Sequence, residues 1–127
     1  MMKKFLTILL ALSCLAASAQ DYTGKAEFDH KVHNFGTVSI ADGPVSCEFT
    51  VTNTAGDSPL VIYAVVSSCG CTGVDWTRTE IAPGQSGTIS ATYSNDEGPY
   101  AFDKTLTAYT SDKKKPTVLH IKGTAKK

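Results

Sequence analysis

Ser46-Cys47-Glu48-Phe49-Thr50-Val51-Thr52-Asn53 alternates apolar and polar side chains. Successive side chains of a strand point to opposite faces, so Cys47, Phe49 and Val51 share one face and Glu48, Thr50 and Thr52 the other. That period of two predicts an antiparallel strand with one face on a core and one toward water. Working outward, the pattern returns at Thr88–Tyr93, with Ile89, Ala91 and Tyr93 inward, and at Thr105–Tyr109, with Leu106 and Ala108 inward. It returns again at Thr117–Ile121, where Leu119 and Ile121 face in and His120 and Lys122 face out. Ala26–Asp29 and Val32–Val38 read as two shorter strands split at His30-Lys31. Leu60–Val66 is apolar on both faces, which predicts a central strand covered on both sides.

Turn signals separate these runs: Asp42-Gly43-Pro44, Thr54 to Pro59, Ala82-Pro83-Gly84-Gln85, Asn95 to Pro99 and Asp112 to Pro116. Pro83 presets one turn dihedral and Gly84 accepts a positive one. Asn53 is expected to end its strand through its tolerance of unusual backbone angles, and Gly36 to mark a bend or bulge where a strand changes sheet. No segment longer than about eight residues has an unbroken helical period. The chain is therefore all-β, an immunoglobulin-like sandwich of about seven short antiparallel strands. A small barrel is the alternative. Trp76 follows the Cys69/Cys71 pair instead of lying between two distant cysteines, so the antibody-type hallmark is absent.

The first residues point to export. Lys3 and Lys4 precede an apolar run from Phe5 to Leu15 and a small-residue site, Ala17-Ser18-Ala19. Residues 1–19 read as a signal peptide and 20–127 as a single domain in the periplasm or at the cell surface. The run is too short for an integral membrane span, and a lipoprotein acylated at Cys14 is the weaker reading because Ala11-Leu12-Ser13 fits such a site poorly. Loss of Lys3 and Lys4 leaves twelve acidic residues against ten basic ones, which gives no electrostatic reason to expect nucleic acid as a partner. The basic run Lys113-Lys114-Lys115 precedes Pro116 and reads as a solvated turn.

Five segments occur in a telling order: His33-Asn34-Phe35-Gly36-Thr37-Val38, Phe49 to Thr54, Ser68-Cys69-Gly70-Cys71-Thr72, Ile81 to Gly87, and Leu119-His120-Ile121-Lys122-Gly123. Together they resemble the domain of unknown function 1573 family, small exported bacterial proteins common in Bacteroidetes. The resemblance implies an immunoglobulin-like fold of the major sperm protein and pilus-chaperone type, and implies no activity. Members often carry a histidine where this chain has Cys47.

Cys69-Gly70-Cys71 is where reactive side chains concentrate. In an extended strand, residues two apart have alpha carbons roughly 6.5–7 Å apart, the outer limit for a disulfide. A Cys69–Cys71 bond would need Gly70 to fold into a turn, so Cys47, on an inward face, is the preferred partner for Cys69 or Cys71. The sharper alternative is a copper or zinc site made by Cys69, Cys71 and Cys47, with His33 as a further contributor. Thiol-disulfide chemistry is the third reading, although no helix follows Cys71 to lower a thiol pKa. His30, His33 and His120 lie on separate predicted strands, and Asp57 and Asp96-Glu97 sit in turns where carboxylates are ordinary. No phosphate loop or calcium loop is present. The sequence points to a non-enzymatic module that binds an unknown protein partner or assembles at a surface, with no cofactor, and with a soft-metal binder as the alternative.

Overall fold

Alternation along each strand is resolved by packing two sheets face to face. The computed structural model describes residues 23–127, so the expected signal peptide and Cys14 lie outside it. Eight strands follow in order: β1 (Ala26–Phe28), β2 (Val32–Ser39), β3 (Val45–Asn53), β4 (Ile62–Ser67), β5 (Thr72–Trp76), β6 (Ser86–Tyr93), β7 (Ala101–Thr110) and β8 (Thr117–Lys126). One sheet has the order β1-β3-β6-β5 and the other β2-β8-β7-β4. That is the immunoglobulin arrangement, in which the first strand is divided between the sheets. No helix among the described residues is long and apolar enough to cross a membrane.

Inward residues meet between the sheets as the alternation requires. Phe49, Val51, Leu60, Ile89, Ala91, Leu106, Leu119 and Ile121 are fully buried. β3 and β6 pair Phe49 with Ile89 and Cys47 with Ala91, so one row of each strand forms the floor of the core.

Several expectations are corrected. Among the described residues there are eight strands, rather than about seven, and β2 runs parallel to β8. The strand missed in the sequence is β5, whose Gly73 and Asp75 are weak strand formers that project outward while Thr72 is buried. β4 is an edge strand, not a central one, and its Tyr63 and Val66 are exposed. The sheet change occurs at His30-Lys31, between β1 and β2. Gly36 (φ 72°) instead occupies an irregularity in the β2–β8 ladder between Asn34 and Thr37.

Two turn residues are informative. The Pro83-Gly84 turn forms as read, with the Gln85 N–H donating to the Ala82 carbonyl at 2.9 Å and Gly84 at φ 79°. Asn53 does not adopt a positive φ; that conformation belongs to Asn95 at φ 58°. The buried Asn53 side chain bonds four backbone groups instead. Its Nδ2 donates to the carbonyls of Ser58 (2.8 Å) and Ile81 (2.9 Å). Its Oδ1 accepts from the N–H groups of Lys25 (3.1 Å) and Ala55 (3.0 Å). One amide thereby ties the start of β1 to the loops on either side of the isolated Leu60–Ile81 bridge.

Candidate functional site at the Cys-Gly-Cys turn

β4 and β5 are edge strands of different sheets, and Ser68 to Cys71 carries the chain from one to the other. The crossing is a tight turn, closed by the Thr72 N–H donating to the Cys69 carbonyl at 3.3 Å. The turn brings the Cys69 and Cys71 alpha carbons to 5.2 Å, inside the range a disulfide spans, and the two sulfurs are bonded. The expected bridge from Cys47 to Cys69 or Cys71 is therefore replaced by a bond between Cys69 and Cys71, and Cys47 is a free, buried thiol. Two physical reasons account for the difference. The chain is not extended at Gly70, and Cys47 sits on β3 with the whole of β6 between it and β5. Two strand spacings amount to roughly 9.5 Å, too far for a disulfide.

Burial, reinforced by the charge of Glu48, pushes the Cys47 thiol up to about 11. A thiol of that kind is protonated and inert at neutral pH. The Cys69–Cys71 bond, by contrast, closes so small a loop that chain entropy assigns it only about 1.5 kcal/mol. It joins no pair of elements that backbone hydrogen bonds do not already join. The Ser68 N–H donates to the Thr105 carbonyl at 2.9 Å, and the Ser94 N–H donates to the Cys71 carbonyl at 2.8 Å. These hold the turn to β7 and to the β6–β7 loop. The disulfide is thus a local chemical group on a turn fixed by other means.

The residue that sequence reasoning passed over is Glu97. Its place in a turn reads as ordinary for a carboxylate, yet one of its oxygens and the two sulfurs all lie within 4.8 Å of one another. Neither Cys47 nor any histidine joins this trio among the described residues. His33 packs edge-on against Phe35 at 4.6 Å, and His30 stacks on Phe49 at 4.6 Å. The Nδ1 of His120 is 2.9 Å from Asp103. Glu97 is held in place through Oε1, which accepts from the Tyr93 hydroxyl at 2.7 Å and lies 2.9 Å from Lys104 Nζ. These two bonds, the one from Tyr93 foremost, hold its carboxyl below the usual range. Burial, and then Glu97 itself, push the Tyr93 phenol up to about 12. No contact visible in the sequence signals this arrangement, because it depends on the β6–β7 loop folding back over the turn.

A second surface is set by register. On the outer face of the sheet containing β4, Val66, Thr107 and Val118 stand side by side across β4, β7 and β8. Val32 of β2, opposite His120, and Tyr109 of β7, opposite Ala64, lie one same-face step from that row on either side, and all four apolar residues are exposed.

A family model described as "Protein of unknown function (DUF1573)" matches residues 26–125, from the first residue of β1 nearly to the end of β8. The chain belongs to this family. The resemblance in the five ordered segments is thereby borne out, and the Cys-Gly-Cys turn lies inside the matched region of the DUF1573 domain. No curated protein matches it. Among solved structures, a protein of unknown function from Porphyromonas gingivalis W83 is similar at TM-score 0.69 and 20% identity, over 86% of this chain and 50% of that one. Vibrio cholerae VesB protease is similar at TM-score 0.60 and 22% identity, over 78% of this chain and 31% of that one. A Bacteroides ovatus GH5 xyloglucanase is similar at TM-score 0.51 and 9% identity, over 80% of this chain and 19% of that one. At these identities the likeness is one of fold. The DUF1573 chain spans half or less of each of these proteins.

Proposed function

We propose that this DUF1573 protein is an exported, non-enzymatic interaction domain that docks a protein partner on the outer face of the β2-β8-β7-β4 sheet. The observation that carries the reading is the exposed row Val32, Val118, Val66 and Tyr109 on that face. Valines and tyrosines on a rigid sheet lose little side-chain entropy on docking and bury apolar area, which favours a protein surface over a charged polymer. Single exposed apolar residues are ordinary, but four of them gathered on one sheet face support a reading of that face as an interaction surface. Export rests on the Lys3-Lys4 and apolar Phe5–Leu15 pattern followed by Ala17-Ser18-Ala19.

A photo-crosslinking amino acid placed at Val66 or Val118 in the native bacterium tests this. The expected result is a discrete adduct from either position, carried by a chain whose N-terminus is Gln20. Equal labelling from Glu48, which is exposed on the other sheet, would contradict it, as would no adduct from any of the three.

A further inference from the structure

The docking reading makes no use of the Cys69–Cys71 disulfide, its carboxylate neighbour or the clamp around them. We propose that Cys69, Cys71 and Glu97 form a redox-gated zinc site, closed while the disulfide is intact and opened by a dithiol reductant. Its ligand set is two thiolates and one carboxylate, with a fourth position left to water.

The donors suit the ion. Thiolates select borderline and soft cations such as Zn(II) over hard ones, and carboxylate oxygen is an accepted third zinc ligand. Tetrahedral zinc places its sulfur ligands roughly 3.7 Å apart, a separation that follows from Zn–S bonds of about 2.3 Å. The three donor atoms already lie within 4.8 Å of one another, so only the opened S–S pair and small side-chain rotations are required. Both cysteines are partly exposed, which gives a reductant and an ion access.

The surroundings suit it as well. Ligands come from two loops, and the Ser94 N–H to Cys71 carbonyl bond (2.8 Å) holds those loops together. Glu97 is oriented by Tyr93 and Lys104, both bonding Oε1, while Oε2 accepts no hydrogen bond from the described residues. Tyr93 is itself fixed, buried and stacked on Phe102 with ring centroids 4.1 Å apart. Partners that orient a ligand in this way support a metal site. Two thiolates and a carboxylate around Zn(II) leave one net negative charge, and the Lys104 ammonium 2.9 Å from Glu97 offsets it.

The chemistry balances. A thiolate of the external dithiol attacks one sulfur of the Cys69–Cys71 bond and forms a mixed disulfide, which the second external thiol resolves. The external dithiol leaves as a disulfide, having given two electrons, and Cys69 and Cys71 become thiols. Zinc then displaces both thiol protons to solvent.

Calorimetric titration of ZnCl2 into the protein, with and without prior phosphine reduction, tests the proposal. The reduced protein should bind one Zn(II) per chain, and the oxidised protein at least 100-fold more weakly. Glu97→Gln should weaken binding to the reduced protein at least tenfold with an unchanged β-sheet circular dichroism spectrum, whereas Cys47→Ala should bind like the parent. Because Glu97→Gln leaves the cysteines intact, the result does not depend on a cysteine variant folding. Equal zinc affinity in the oxidised form would overturn the site. So would failure of the reduced form to bind zinc, or an unaltered affinity in Glu97→Gln, including the case in which the reduced protein takes only Cu(I).

Discussion

Phe49→Ala is expected to destabilise the domain by about 3–5 kcal/mol. Phe49 has no exposed surface, faces Ile89 across the β3–β6 ladder, and carries the His30 ring on one side at 4.6 Å. Removing the ring loses its transfer free energy and leaves a cavity between two sheets whose hydrogen-bonded ladders prevent collapse. A domain of this size has a total stability of only about 5–15 kcal/mol, so the variant should lose from roughly a fifth to all of it. Equilibrium unfolding in guanidinium, followed by far-ultraviolet circular dichroism, provides the measurement. A loss under about 1 kcal/mol would mean that Phe49 is not at the centre of the core.

The second large effect is expected at Asn53. Asn53→Ala removes a side chain that satisfies two carbonyls and two N–H groups at once. Each unmade bond costs roughly 1 kcal/mol, and more where the group stays dry, so losing four of them should cost about 4 kcal/mol. Asn53→Asp has almost the same shape but, ionised, cannot donate to the Ser58 and Ile81 carbonyls and places a charge in a buried position. It should be at least as destabilising as alanine at pH 7. Its buried carboxyl would have a folded-state pKa above the unfolded value, so the stability of this variant relative to the parent should improve as the pH falls toward 4 and decline as it rises. Unfolding curves of the parent and both variants at the two pH values measure this. Equal stabilities would show that Asn53 has no bonding role.

Phe49 and Asn53 differ in how much of their role is written in neighbouring residues. Phe49 declares itself through alternation, because period two and the demand for one dry face leave it a single place to go. The inward rows of β3, β6, β7 and β8 were readable for the same reason, as was the split at His30-Lys31. β4 was misplaced because apolar residues on both faces describe equally a central strand and an edge strand with a bare outer face. β5 was missed because Gly73 and Asp75 mask a strand whose pairing to β6 decides its conformation. Asn53 carries a turn signal, which its bond to the Ala55 N–H fulfils, but nothing local announces the bonds to Lys25 and Ile81, each 28 positions away.

At the candidate site the cysteines were legible and their partners were not. Residue types flagged Cys69 and Cys71, but their bonding was decided by a turn at Gly70 that brings the alpha carbons to 5.2 Å. Cys47 has the right chemistry and the wrong strand, since β6 separates it from β5. Glu97 is 26 positions from Cys71 and enters only because the β6–β7 loop bonds back onto the turn. Proximity of that kind is a product of tertiary structure, and neither spacing nor composition encodes it.

Cys69 and Cys71 form a self-contained disulfide, and the buried Cys47 thiol, on a strand separated from β5 by β6, takes no part in it. Peptide-resolved alkylation of the full chain tests it most directly. Without reductant, none of Cys47, Cys69 and Cys71 should label in the native protein, and Cys47 alone should label once guanidinium unfolds it. With reductant under native conditions, Cys69 and Cys71 should label while Cys47 stays protected. If unfolded, unreduced protein instead keeps Cys47 protected and labels Cys69 or Cys71, Cys47 is bonded to the other cysteine and the Cys69–Cys71 disulfide does not exist.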